Sequence, residues 1–137
     1  MSFELYDLKS GLDSDDAIEF GCKAILYEEF DINKLVYDHK EKLSHFCAKA
    51  LMFFVLRELR HDVATEVEVV NVGVCDLYDI STKVIYEFET TGSKKVQRRV
   101  NKIYKHTGNE IIVIDVKELP DDIFQRYLKL KEYVIPD

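Results

Sequence analysis

The stretch TEVEVVNVGVCDLYDISTKVIYEFETTG, residues 65–92, decides the fold of this chain. Apolar and polar side chains alternate in it with a period of two, which is typical of half-buried strands. The pattern predicts three strands, one starting near residue 66 and two spanning 74–80 and 84–90, with a tight turn at 81–83. Because the connections are short, we expect the strands to pair as an antiparallel meander.

Three acidic residues fall at strand positions of this stretch. Asp76 lies eleven residues before Glu87, and Glu89 follows two residues after Glu87. On a strand, Glu87 and Glu89 therefore share one face, and the apolar Tyr86 and Phe88 point to the other. Carboxylates that converge at one sheet edge repel one another unless a cation lies between them, and hard cations take oxygen ligands of this kind. The stretch therefore predicts a site for Mg²⁺ or Mn²⁺.

A basic segment with a helical pattern follows, KKVQRRVNKIYKHTG at residues 94–108, and it contains no Asp or Glu. Residues 94–106 contribute +6 to a chain of net charge −7, so the rest of the chain carries −13. Such segregation permits a phosphate-binding face on an acidic protein, although a merely solvated basic face is also common. The candidate nucleic-acid-binding residues are Lys94, Lys95, Arg98, Arg99, Lys102 and Lys105.

Length and composition predict one globular domain over residues 1–137. The chain is 47% apolar and 33% charged, which excludes a disordered protein. Its longest apolar run, residues 50–56, is far shorter than the roughly 20 residues that span a bilayer, so no membrane association is expected. The N-terminus lacks the pattern of a secretory signal. The three cysteines form no CxxC pair and are expected to be buried thiols in a cytoplasmic protein.

Two helical regions are expected before the strands. The first spans about residues 15–30, with Ile18, Cys22 and Ile25 on one face. The second spans about residues 32–60, as one helix or as two with a bend between them. Its apolar spacing predicts an inward stripe of Leu43, Phe46, Cys47, Ala50, Leu51, Phe54 and Val55.

One strand and one helix are expected after the basic segment. Residues 111–116, IIVIDV, form a continuous apolar run, which favours a strand buried on both faces. A final helix is expected to start at Pro120 and the two aspartates after it. Its expected inward residues are Ile123, Phe124, Tyr127, Leu128 and either Tyr133 or Val134.

The resulting order of elements, α, α, β, β, β, α, β, α, resembles the PD-(D/E)xK nuclease superfamily, the restriction-endonuclease-like fold. The resemblance covers about residues 43–116, and SHFCAKALMFFVLRELRHDVATEVEV at 44–69 is similar to the first helix and strand of archaeal and viral members. It implies an α/β fold with an αβββαβ core and a central mixed sheet. It also implies an N-terminal helical extension over residues 1–42 and a C-terminal helix over about 120–135.

The same resemblance implies roles for the acidic residues. Asp76 in GVCDLYD and Glu87 in IYEFET match the two family residues that hold the metal. The family often adds a third acidic residue, for which Glu58 and Glu66 are candidates and Glu66 is preferred. Judged by its strand position alone, Glu66 is more typical of a surface charge at a sheet edge.

The family's lysine position holds Glu89 in this chain. A glutamate there can accept a proton from water or add a metal ligand, but it cannot stabilise negative charge on a phosphate. Lys94 or Lys95, in the segment that follows, can supply the missing cation, as happens in some members. Other members have lost the site and only bind.

The expected function is therefore a Mg²⁺- or Mn²⁺-dependent DNA nuclease. The alternative is a non-catalytic domain of the same fold that binds DNA or a protein. A third interpretation is a protein-interaction module, and in each case a homodimer can form through the N-terminal helices. The four histidines show no metal-ligand spacing, and His45 is expected near the helix surface.

Overall fold

The sheet of this α/β protein is mixed and open. A computed structural model describes residues 32–69, 73–90, 97–98, 100–101 and 108–134. In these residues the elements are helix α1 (Leu43–Glu58), strands β1 (Val63–Val69), β2 (Gly73–Asp79), β3 (Val84–Glu89) and β4 (Glu110–Asp115), a short 3-10 helix (Val116–Glu118) and helix α2 (Ile123–Lys131). The predicted α/β class is confirmed. The helix predicted at residues 15–30 lies outside the described residues.

The described strands lie in the order β1-β2-β3-β4. β1 pairs with β2, and β2 with β3, in antiparallel fashion, so the predicted meander is confirmed. β3 and β4 pair in parallel, which makes the sheet mixed as expected. A parallel pair needs a crossover connection, and within the connection between these strands residues 97–98 and 100–101 are helical.

Helix α1 packs on the sheet through a stripe that is not purely apolar. Its buried side chains are Ala48, Lys49, Met52, Val55 and Leu56. The predicted inward stripe is wrong at Leu43 and Phe54, which are 69% and 53% exposed. Val55 is buried and Leu51 packs against the core, as predicted. Residues 50–56 are apolar on every side, so their spacing does not specify a face. Cys75 is buried as predicted, but Cys47, on the outer side of α1, is exposed.

The end of α1 turns the chain into β1 through a Schellman motif. The N–H of Arg60 donates to the carbonyl of Arg57 over 2.9 Å, and the N–H of His61 donates to the carbonyl of Leu56 over 3.0 Å. Arg60 has a φ of +66°, a left-handed conformation that normally favours glycine. Arg60 therefore carries some backbone strain at this reversal.

Residues 32–42 do not form a helix, so the helix predicted over 32–60 begins too early. Asn33 has a φ of +61°, and its N–H donates to the carbonyl of Val63 over 2.6 Å. The N–H of Val63 in turn donates to the Oδ1 atom of Asn33 over 2.8 Å, and Val36 donates to the hydroxyl of Thr65. These contacts with β1 hold the segment along the outer edge of that strand, which protects the edge from pairing with other chains.

Two expectations about the C-terminal part need correction. β4 is the outer strand of the described sheet and Val113 is 37% exposed, so it is not a strand buried on both faces. Helix α2 begins after Asp122, whose side chain accepts a hydrogen bond from the N–H of Gln125 over 2.9 Å. The predicted inward residues Ile123, Phe124 and Leu128 are exposed by 72%, 60% and 39%. Tyr127, Tyr133 and Val134 pack against the core as predicted, and Leu130, which was not among the predicted inward residues, is buried.

A buried ionisable pair fixes the turn between β2 and β3. The Nδ1 atom of His61 lies 2.8 Å from Oδ2 of Asp79, and both residues are buried. Asp79 also accepts hydrogen bonds from the Thr82 hydroxyl over 2.7 Å and from the Ser81 N–H over 3.1 Å. This pair ties the end of α1 to the turn, three residues along β2 from Asp76.

Candidate functional site

Three carboxylates lie side by side across three neighbouring strands. Glu66 lies on β1 between Thr65, which pairs with Leu77, and Val67, which pairs with Cys75, so it is next to Asp76 on β2. Asp76 and Glu87 lie one residue beyond Leu77–Tyr86, the last pair between β2 and β3, and the N–H of Asp76 contacts the Glu87 carboxylate. Like charges on neighbouring strands repel each other unless cations or hydrogen-bond donors compensate them. We call Glu66, Asp76 and Glu87 the carboxylate row.

Asp76 and Glu87 of the row are fixed by main-chain donors. The N–H of Asp76 donates to Oε2 of Glu87 over 2.8 Å, and the N–H of Phe88 donates to Oδ2 of Asp76 over 2.8 Å. These hydrogen bonds to side-chain oxygens lie just beyond Leu77 and Tyr86, where the main-chain pairing of β2 with β3 ends. Glu87 is only 7% exposed. The strands separate here and hold both carboxylates in defined orientations.

Glu66 adopts an unusual backbone conformation for a strand residue. Its φ is +54°, in the left-handed region that costs a non-glycine residue roughly 1–2 kcal/mol. Strain of this kind persists where surrounding contacts determine the conformation. For Glu66 the contact is Lys49, whose Nζ atom donates to Oε2 of Glu66 over 2.9 Å.

Lys49 is a fully buried cation that binds two carboxylates. Its Nζ atom donates to Oε1 of Glu41 over 2.8 Å and to the carbonyl of Val36 over 2.8 Å, in addition to Glu66. An ammonium group has three N–H donors, so these three acceptors satisfy it completely. Lys49 therefore compensates the charge of Glu66 and has no donor left for a substrate.

His45 connects the row to the start of α1. Its Nε2 atom lies 3.1 Å from Oδ2 of Asp76, and its Nδ1 atom contacts Oε2 of Glu41. Burial, the largest influence, lowers the pKa of His45, but hydrogen bonds and charges of Asp76 and Glu41 outweigh it and raise the pKa to about 9. His45 is therefore protonated at neutral pH, with both ring nitrogens as donors.

The two glutamates bound to Lys49 have pKa values shifted in opposite directions. Burial raises the pKa of Glu41, but hydrogen bonds from Lys49, the main chain and His45 outweigh it, so the net shift is downward. For Glu66, burial raises the pKa, the charges of Asp76 and Glu41 add to it, and Lys49 only partly opposes it. Glu66 thus holds a proton more readily than an ordinary glutamate does.

The row and its cationic neighbours line an open cleft of about 370 Å³. Its walls include the three acids of the row, together with Glu41 and His45 from the α1 side. Phe88 also borders the cleft, and its ring lies 6.0 Å from the His45 ring in an edge-to-face arrangement. A ligand that enters from solvent therefore meets carboxylate oxygens and an imidazolium together.

The other predicted site residues lie elsewhere. Glu89 is half-buried at the end of β3, in register with Asp115 of β4, and does not line the cleft. Glu58, the second candidate for a third acid, contacts the hydroxyl of Tyr127 at the opposite end of α1 from His45. Arg98 is exposed. The remaining basic candidates, Lys94, Lys95, Arg99, Lys102 and Lys105, lie outside the described residues.

Sequence reasoning missed Glu41 and Lys49 and placed His45 near the helix surface. His45, which was expected to pack near the helix surface, is 16% exposed and contacts Asp76, a contact that the sequence did not predict. A signal was present: residues 41, 45 and 49 recur every four positions and continue the buried stripe through Met52. Polar residues on the inward face of a helix require partners, and here the row supplies them.

Neither a protein-family model nor a curated protein nor a solved structure matches the chain. Within the described ranges, no helix has the length and apolar character to cross a membrane. Among those same residues, no three His, Cys, Asp or Glu side chains are already at metal-ligand spacing. In this arrangement, carboxylate oxygens of the row accept hydrogen bonds from His45, Lys49 and main-chain N–H groups.

Proposed function

We propose that this chain is a divalent-metal-dependent nuclease of the restriction-endonuclease-like kind, which hydrolyses phosphodiester bonds in DNA. The observation that carries the proposal is the carboxylate row, because Glu66, Asp76 and Glu87 come from three different strands and meet in one cleft. Oxygen ligands of this type suit Mg²⁺ and Mn²⁺. The strand order and the positions of Asp76 and Glu87 support the family resemblance.

The donor set fits a hard cation once the ion pairs of Asp76 with His45 and of Glu66 with Lys49 rearrange. Among the described residues, both contacts of Asp76 are made by Oδ2, which leaves Oδ1 for a cation. Glu87 and Glu66 would supply the further carboxylate oxygens. Imidazole nitrogen is a better ligand for Mn²⁺ than for Mg²⁺. Nε2 of His45 can bind either ion only after it loses its proton, because a protonated nitrogen has no lone pair to donate.

A bound cation would act as a Lewis acid and lower the pKa of water next to the phosphate. Glu87 and Asp76 hold their orientation through main-chain hydrogen bonds, so they keep the reaction centre fixed. Glu66, with its raised pKa, would be suited to accept a proton from water when it does not itself bind the cation. Glu89 as a base, and Lys94 or Lys95 as phosphate ligands, stay predictions.

A cleavage assay on single-stranded, duplex and branched DNA with Mg²⁺ or Mn²⁺ tests the proposal. Asp76→Asn and Glu87→Gln keep the side-chain shape and remove charge, and we expect each to lower the cleavage rate at least 100-fold. The matched control is Glu68→Gln, an exposed acid two residues from Glu66 on β1, which should cleave like wild type. No cleavage by wild type with any substrate and either metal would refute the nuclease.

A second candidate function is a non-catalytic domain that binds DNA or a protein. It is favoured by the cations already present in the site, since His45 and Lys49 neutralise the same carboxylates that a metal would use. The glutamate at the family's lysine position favours it too. DNA affinity that falls steeply with salt, with no cleavage by wild type, would support this candidate.

A further inference from the structure

A second cavity, of about 280 Å³, adjoins the cleft and differs from it in charge. The two share Lys42 and Thr90, so they open onto one continuous surface. Lys117 and Arg126 also line the second cavity, with Asp121 as the carboxylate among its described lining residues. Three cations against one acid give a positive pocket beside the carboxylate row, in a chain of net charge −7. We call it the cationic cavity.

The cations of this cavity come from three separate elements. Lys42 precedes α1, Lys117 lies in the 3-10 helix after β4, and Arg126 lies in α2. Lys42 and Lys117 are exposed, and neither side chain forms an ion pair or a hydrogen bond with a described residue. Their charges are therefore not consumed by the fold, in contrast to the charge of Lys49.

Arg126 is held in place at the rim. Its Nε atom donates to the carbonyl of Pro120 over 2.8 Å, which orients the guanidinium and leaves its terminal nitrogens without a partner among the described residues. A planar guanidinium fixed in this way matches the oxygens of a phosphate. Ser44, in the first turn of α1, borders the same cavity and brings the positive end of the helix dipole to it.

We propose that the cationic cavity binds a backbone phosphate of DNA. This phosphate neighbours, on the same strand, the phosphodiester that is presented to the carboxylate row. This inference rests on the proposed function, because it needs a nucleic-acid ligand in the cleft. A polyanionic strand that crosses both cavities places one phosphate at Lys42, Lys117 and Arg126 and the next at the acidic cleft. The cavity then positions the strand without reading its sequence.

Fluorescence anisotropy with a labelled duplex oligonucleotide in EDTA tests the subsite while no cleavage can occur. The variant is Lys42→Gln/Lys117→Gln, and the control is Lys83→Gln, an exposed lysine in the turn between β2 and β3. We expect the double variant to bind about tenfold more weakly at low salt. The slope of log K against log salt should become shallower by about 0.9, because the two substitutions remove one phosphate contact and each such contact contributes about 0.9.

Equal affinity and slope for wild type, the double variant and the Lys83→Gln control would overturn the subsite, as would a wild type that does not bind DNA. A shallower slope combined with no cleavage would keep the subsite and refute only the nuclease. Cleavage by wild type, together with equal salt slopes for wild type and the double variant, would keep the nuclease and refute only the subsite. Inorganic phosphate that displaces DNA at micromolar concentration and constant ionic strength would assign the cavity to free phosphate and overturn the proposal.

Discussion

His45 links the stability of the fold to pH. Its pKa is about 9 in the folded chain against 6.5 for the ordinary side chain, because the carboxylates of Asp76 and Glu41 outweigh the opposing effect of burial. Each unit of pKa shift corresponds to 1.36 kcal/mol, so the imidazolium contributes about 3 kcal/mol. Since the folded pKa is the higher one, this contribution is complete below about pH 6.5 and is lost as the pH rises through about 9.

The variant His45→Gln removes this dependence. We expect the free energy of unfolding of wild type to fall by about 3 kcal/mol more than that of the variant between about pH 6 and pH 10. Urea denaturation in metal-free buffer with EDTA measures the free energy of unfolding at each pH. Lysines and tyrosines that titrate at about pH 10 contribute equally in both proteins, so their contribution cancels in the difference. His39→Gln is the control, because the His39 side chain is 85% exposed, and it should keep the full wild-type loss. Parallel pH profiles for wild type and His45→Gln would refute the reasoning.

Three further substitutions test other contacts by urea denaturation at neutral pH. Lys49→Met strips two glutamates of their buried cation and should lower the free energy of unfolding by about 3 kcal/mol, whereas Lys40→Met, at an exposed lysine, should change it by less than about 0.5 kcal/mol. Arg60→Gly relieves a φ of +66° and should raise it by about 1 kcal/mol, a gain that Arg60→Ala should lack. Asp122→Ala removes the α2 cap and should lower it by about 1 kcal/mol. A change of the opposite sign in the free energy of unfolding would contradict the role assigned to that residue.

The strands were predictable because their pattern is local. Alternation with a period of two and the turn at residues 81–83 specify β2 and β3 to within a residue. The inward face of α1 was not predictable in the same way. Its apolar residues surround the helix, and the buried stripe contains Lys49, whose burial depends on acids from distant segments.

The site was predictable in part for the same physical reason. Asp76 and Glu87 stand out because they flank a short hairpin, which brings them into contact. The place of Glu66 in the row depends on the β1–β2 register, which the local sequence does not specify. A slip of one residue would move the Glu66 side chain to the other face of the sheet. The cationic cavity joins residues 42, 117 and 126, and no local pattern connects positions so far apart in the chain.

The claim that Glu66, Asp76 and Glu87 form a divalent-cation centre is tested most directly by calorimetric titration of the protein with Mn²⁺. We expect wild type and Glu68→Gln to bind the ion with equal affinity, and Asp76→Asn and Glu87→Gln to bind it at least tenfold more weakly. Equal Mn²⁺ affinity in all four proteins, or no binding by wild type, would contradict the account and leave the row as a structural ion-pair network.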